Sequence, residues 1–167
     1  MVLSMPRSSS TWVANWLTTE KTLCLHDPIL RYAAEEFDSI PCDRTLGIAC
    51  TGTALLADFV NAHPARKLIL HRDRDEVNRS LETIGLSALQ KPWTRALDRL
   101  RGMHVYYTDL FDPVTAAPIY EYVTGQPMDT ARHLELVAMH IEPHFERIQL
   151  KLDRARSFRE RIERAFA

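Results

Sequence analysis

Cysteine is scarce: the 167-residue chain holds three, Cys24, Cys42 and Cys50. An odd number, at a spacing that matches no common zinc pattern, argues against a disulfide framework and predicts reduced thiols in a cytoplasmic chain. No apolar run approaches the roughly 20 residues of a membrane span, and the start of the chain lacks a basic region followed by an apolar stretch. Excess charge is missing too. With 21 basic and 22 acidic residues the formal net charge is −1, without the broad positive field of a nucleic-acid binder. These absences predict a soluble, cytoplasmic protein with no membrane and no nucleic acid among its partners. Glycine is absent between Pro6 and Trp12, and no lysine precedes the hydroxyl pair Ser10-Thr11. The nucleotide P-loop pattern G-x-x-x-x-G-K-[ST] is therefore not met, which disfavours a Walker-type NTPase.

What is present is a chain 46% hydrophobic and 26% charged, long enough for one domain with a sizeable core. Short β-rich runs alternate with helical ones. Strands are expected at 1–5, 22–25, 45–50, 67–70 and 103–107, and helices at 11–19, 28–37, 53–62 and 74–84. This is the pattern of βαβ units, so a single α/β domain over 1–167 is expected. It would be a three-layer arrangement with a mostly parallel five-stranded sheet and helices on both faces. Beyond Asp112 the pattern is helical, broken once at Gly125-Gln126-Pro127. Phe145, Ile148, Leu152, Ala155, Ile162 and Phe166 recur at helical spacing and predict a last amphipathic helix. The helical segment 113–167 is read as packed on the sheet, with a homodimer contact as the alternative use of that last helix.

In open sheets of this kind ligands bind beyond the carboxyl ends of the strands. That directs attention to Pro6 to Thr11, His26-Asp27-Pro28, Thr51-Gly52-Thr53, His71-Arg72-Asp73 and Thr108-Asp109. A helix that begins near Thr11 points its unpaired N–H groups, and the positive end of its dipole, toward the end of the preceding strand. Ser8, Ser9, Ser10 and Thr11 add hydroxyl donors. Arg7 adds a permanently charged fork suited to phosphate or sulfate oxygens. The alternative is a serine-rich helix cap that binds nothing.

The fourth loop adds weight to the anion-binding reading. Arg72 ends a strand, and Ser80 lies eight residues later on the next helix, in Arg72-Asp73-Arg74-Asp75-Glu76-Val77-Asn78-Arg79-Ser80-Leu81. Together, Pro6-Arg7-Ser8-Ser9-Ser10-Thr11-Trp12 after a first strand and this second segment resemble the sulfotransferase family, over roughly the first half of the chain. The resemblance implies a P-loop-like fold and an enzyme that moves a sulfuryl group from 3′-phosphoadenosine 5′-phosphosulfate to a hydroxyl or amine acceptor, leaving adenosine 3′,5′-bisphosphate. It implies that Arg7, Ser8, Ser9, Ser10, Thr11 and Trp12 bind the 5′-phosphosulfate, and that Arg72 and Ser80 bind the 3′-phosphate. Arg7 would also stabilise charge on the leaving group. No carboxylate cluster suited to Mg²⁺ is evident, and no metal is expected.

An acceptor hydroxyl needs a base. Of seven histidines, only His26 and His71 fall at the expected rim, and His26 is the candidate, with Asp27 as its orienter or the alternative base. The chain departs from the family pattern in four places. Arg7 stands where many members carry lysine, Ser9 where glycine is common, and Ala49-Cys50-Thr51 where one branch carries its basic histidine. The family's later glycine- and lysine-rich loop has no counterpart between Gly125 and Ala167. A non-catalytic nucleotide-binding module and a P-loop small-molecule kinase are the competing readings, the latter weakened by the missing lysine. Trp12, Trp16, Trp93, Tyr106 and Tyr107 are read as core more readily than as an aromatic acceptor pocket.

Overall fold

The computed structural model describes residues 1–89 and 91–139. The amphipathic helix expected at 145–166 lies outside them. Five strands, β1 (Val2–Ser4), β2 (Thr22–His26), β3 (Thr45–Cys50), β4 (Leu68–His71) and β5 (Met103–Tyr106), form one sheet in the order β2-β3-β1-β4-β5. Every pairing is parallel, in registers such as Val2 beside Ala49 and Leu68, and Leu70 beside Val105. The helices are α1 (Ser10–Leu17), α2 (Ala57–Ala62), α3 (Arg74–Glu82), α4 (Lys91–Asp98), α5 (Pro113–Thr124) and α6 (Thr130–Ala138). The three-layer α/β architecture is as the alternating pattern predicts.

Period-two alternation divides the buried side chains between the two faces of the sheet. Val2, Leu68 and Leu70 pack with Trp12, Val13, Trp16 and Leu17 of α1 and with Ala116, Ile119 and Tyr120 of α5. Leu3 and Ile69, one residue out of phase, pack on the opposite side with Val60 of α2, Val77 and Leu81 of α3 and Leu97 of α4. Every residue of the central strand β1 is buried, whereas the edge strand β5 alternates between half-buried and exposed. Close approach fixes one glycine in the fold: a Cβ on Gly102 would lie 2.6 Å from the Lys67 carbonyl oxygen and 2.6 Å from the Ile69 side chain.

Two helical expectations are corrected. The segment 28–37 is not one helix but two 3₁₀ turns, Pro28–Leu30 and Ala34–Ser39. Its apolar anchors Ile29, Ala34 and Phe37, which pack on Ile48 and Cys50 of β3, are spaced by five and then three residues, so they do not make a continuous helical stripe. The segment 53–62 is likewise split, into a 3₁₀ turn Gly52–Leu55 and α2. Leu56, with φ −97° and ψ 55°, interrupts it. Helix α4 has no counterpart among the helices expected from the sequence pattern.

Candidate functional site

All-parallel pairing collects the carboxyl ends of the strands on one rim, and the connection from β1 to α1 lies there. Arg7 and Ser9 both take φ 62° and Ser8 lies between them. Alternation of left-handed with ordinary backbone curls successive N–H groups toward a common centre, the concave shape that suits an anion. Helix α1 then begins with no side-chain cap from Ser9 and no acidic residue in its first turn. Its first bond runs from Val13 N–H to the Ser9 carbonyl, 2.9 Å, so the N–H groups of Ser10, Thr11 and Trp12 have no intrahelical partner. Ser8 is fully buried, and its hydroxyl has no hydrogen-bond partner among the described residues.

Two side-chain clusters flank this turn. In the first, Arg7 Nε donates to Ser80 Oγ at 2.9 Å, and Arg72 Nη1 donates to the Arg7 carbonyl. Arg72 Nε meets Glu76 Oε2 at 3.1 Å, and the guanidinium carbon sits 4.6 Å from the centroid of the Tyr107 ring. The Tyr107 hydroxyl donates to the same Glu76 oxygen at 3.1 Å, and burial is the main cause that raises its pKa. The loops after β1 and β4 are thus joined directly. Asp73 Oδ1 holds the start of α3 by accepting from Asp75 N–H at 2.9 Å and Glu76 N–H at 3.0 Å, which fixes the helix that carries Glu76 and Ser80.

In the second cluster, His26 Nε2 lies 3.0 Å from Ser10 Oγ, 3.2 Å from Thr11 Oγ1 and 3.3 Å from Asp27 Oδ2. Asp27, with φ 47°, turns its other carboxylate oxygen toward Thr51, accepting from the backbone N–H at 3.1 Å and from the hydroxyl at 3.4 Å. The ends of β2 and β3 are thereby fastened to the first turn of α1. The geometry is not that of a hydrolase triad, since Ser10 and Asp27 approach the same imidazole nitrogen rather than opposite ones.

Arg7, Arg72 and Ser80 are therefore brought together, as are Ser10, Thr11, His26 and Asp27, with the turn between the two groups. Trp12 is placed elsewhere. It is 6% exposed, donates its indole N–H to the Leu136 carbonyl at 3.0 Å and stacks on Trp16 with centroids 5.5 Å apart. It belongs with Val13, Trp16 and Leu17 to the buried stripe of α1 that packs on the sheet. Trp93 is half-buried against the α2–α4 core. Tyr106 corrects the core reading, because it is 65% exposed. Thr51, one of the rim residues, and Tyr107, one of the aromatic candidates, complete the network together with Glu76. Arg72, just before the cap Asp73, and Glu76, in the first turn of α3, stand four residues apart, the spacing of a local ion pair.

The thiols take no part in nucleophilic chemistry at neutral pH where they are buried: burial pushes Cys24 to about 12 and Cys50 to about 11. All three cysteines are free. Among the described residues no group of three or more His, Cys, Asp or Glu side chains is arranged to hold a metal ion, and no helix is long and apolar enough to cross a membrane. No family model, curated protein or solved structure matches the chain.

Proposed function

We propose that the chain binds a nucleotide with anionic groups at both its 5′ and 3′ positions and is a sulfotransferase that uses 3′-phosphoadenosine 5′-phosphosulfate. The observation that carries this reading is the direct link between the loops after β1 and β4, through Arg7 Nε to Ser80 Oγ at 2.9 Å and Arg72 to the Arg7 carbonyl. Two cationic groups on separate strand ends border one turn, and that turn presents unpaired helix N–H groups and a buried, unbonded serine hydroxyl. One ligand with two anionic ends fits this arrangement better than two separate ions.

In this reading the turn 8–11 cradles the 5′-phosphosulfate, and Arg72 with Ser80 holds the 3′-phosphate. The acceptor oxygen or nitrogen attacks sulfur, the bond from sulfur to the bridging oxygen breaks with its electron pair passing to that oxygen, and Arg7 stabilises the charge that grows there. His26 takes the acceptor proton. Asp27 Oδ2, 3.3 Å from His26 Nε2, orients the imidazole or serves as the alternative base. The acceptor is a hydroxyl or an amine.

A non-catalytic nucleotide-binding module is the second reading, favoured by Ala49-Cys50-Thr51 standing where one branch of the family carries its basic histidine. Calorimetric titration with adenosine 3′,5′-bisphosphate, ATP and adenosine 5′-phosphate tests what both readings share. Preferential binding of the bisphosphate supports them, and equal or absent binding rejects them. Sulfuryl transfer from the labelled donor to a panel of hydroxyl and amine acceptors then separates enzyme from module.

A further inference from the structure

Helices α1 and α6 hold one another by a reciprocal clamp. Arg132 of α6 donates through Nη1 to the Trp16 carbonyl at 2.9 Å and through Nη2 to the carbonyls of Asn15 and Thr18, each at 2.7 Å. These are carbonyls at the carboxyl end of α1, where a cation also complements the helix dipole. In return Trp12 of α1 donates its indole N–H to the Leu136 carbonyl near the end of α6. The two helices therefore run antiparallel, each satisfying the last turn of the other.

Between the two fastenings sits His133, with no exposed surface. Its ring lies 5.8 Å from Trp12 at 86° and 5.8 Å from Trp16 at 60°. Neither ring nitrogen has a well-formed hydrogen bond within the described residues. A neutral imidazole is tolerated in such a place, whereas an imidazolium loses its water without gaining a carboxylate hydrogen bond among the described residues. The surroundings are specific about this. Helix α1 presents the indoles of Trp12 and Trp16. The turn before α5 contributes the Phe111 backbone and Asp112, whose carboxylate is engaged as the cap of α5 by Val114 N–H at 2.9 Å. Helix α5 packs the Tyr120 ring on Trp16, which in turn contacts His133. On α6 itself Asp129 caps the Arg132 N–H at 3.0 Å, Glu135 lies two residues away along the helix, and Arg132 is committed to α1.

We propose that α6 is an acid-released clamp on α1, with His133 as the proton-sensing group. In the closed form burial lowers the His133 pKa, against smaller opposing effects of the Phe111 backbone and Asp112. In the open form the imidazole meets water and regains its ordinary pKa of about 6.5. The open form therefore binds the extra proton, and the clamp, held above that pH, loosens as pH falls below it. Opening frees Trp12, which directly follows Ser8 to Thr11, so the start of α1 and the turn before it lose a fastening. This inference stands on the α1–α6 contact alone and does not depend on the ligand assigned to that turn.

Hydrogen–deuterium exchange of the whole chain from about pH 7.5 to about pH 5, corrected for the intrinsic pH dependence of exchange, tests it. The expected result is an opening equilibrium for the amides of 130–138 that rises as pH falls below about 6.5, while the amides of β1 and β4 keep their protection. In a His133→Phe variant the α6 amides should show no such rise. A flat α6 profile in the unaltered chain, or the same slope in the variant, overturns the proposal. If the variant does not fold, the imidazole C–H resonances of His133 decide. A closed-state midpoint below the ordinary value of about 6.5 supports the clamp, and an ordinary or raised midpoint rejects it.

Discussion

Arg7 and Ser9 hold left-handed backbone without being glycine, and each position of that kind costs an L-residue about 1 kcal/mol. What the strain secures is the curled N–H array ahead of α1. Replacing Ser9 with glycine removes a Cβ from a left-handed position, so Ser9→Gly is expected to stabilise the fold by about 0.5–1 kcal/mol in denaturant titration, with bisphosphate affinity retained. Arg72 contributes a charge where Ser80 contributes a neutral hydroxyl. Arg72→Ala is accordingly expected to weaken adenosine 3′,5′-bisphosphate binding by about tenfold or more, and Ser80→Ala by less, while binding of adenosine 5′-phosphate changes little in either variant. Calorimetry reads both, and equal losses for the two nucleotides would remove these residues from a 3′-phosphate site. His26→Ala should leave bisphosphate affinity within a few-fold and abolish sulfuryl transfer. Surviving transfer would pass the role of base to Asp27.

At the level of elements, the sequence pattern locates all five strands to within one or two residues, because each is a short apolar run bounded by turn residues or helical patterns. Helix α3 is legible for a related reason: Asp73 caps it, and Val77 and Leu81 give it a single buried stripe. The stretch 28–39 is not, because Asp27-Pro28 looks like a helix entry, while the left-handed Asp27 and the spacing of the buried anchors produce 3₁₀ turns instead. In the site, Arg72 and Ser80 are visible in sequence through the family resemblance, whereas the bond that Ser80 makes to Arg7 is not. The contact of Tyr107 with Arg72 is not visible in sequence, since it depends on how β5 lies beside β4. The core reading of Trp12 holds for its side chain, because Trp16 four residues later continues the same buried stripe of α1. Where β5 is laid against β4, Gly102→Ala would force a Cβ against the Lys67 carbonyl. A loss of about 1–3 kcal/mol in denaturant stability is expected, and an unchanged midpoint would refute the close approach.

Across the whole molecule, buried titratable groups bound the pH range of stability. His71 and His133 have lowered pKa values, each mainly through burial. The unfolded chain therefore binds more protons below about pH 6.5, and stability falls as pH drops through that region. Cys24 and Cys50 are raised from an ordinary 9.0 to about 12 and about 11. Their unfolded thiols ionise first, so stability falls again above about pH 9. Scanning calorimetry should show a Tm plateau near neutral to mildly alkaline pH with a decline on both sides, and a Tm that rises steadily into acid would contradict it.

The central claim is that the loops after β1 and β4 serve one ligand. An NMR titration of the isotope-labelled chain with adenosine 3′,5′-bisphosphate tests this most directly. The amides of Ser8 to Thr11 and those from Arg72 to Ser80 are expected to shift together and to fit a single dissociation constant. Movement of only one group, or two groups that titrate with different constants, would contradict it.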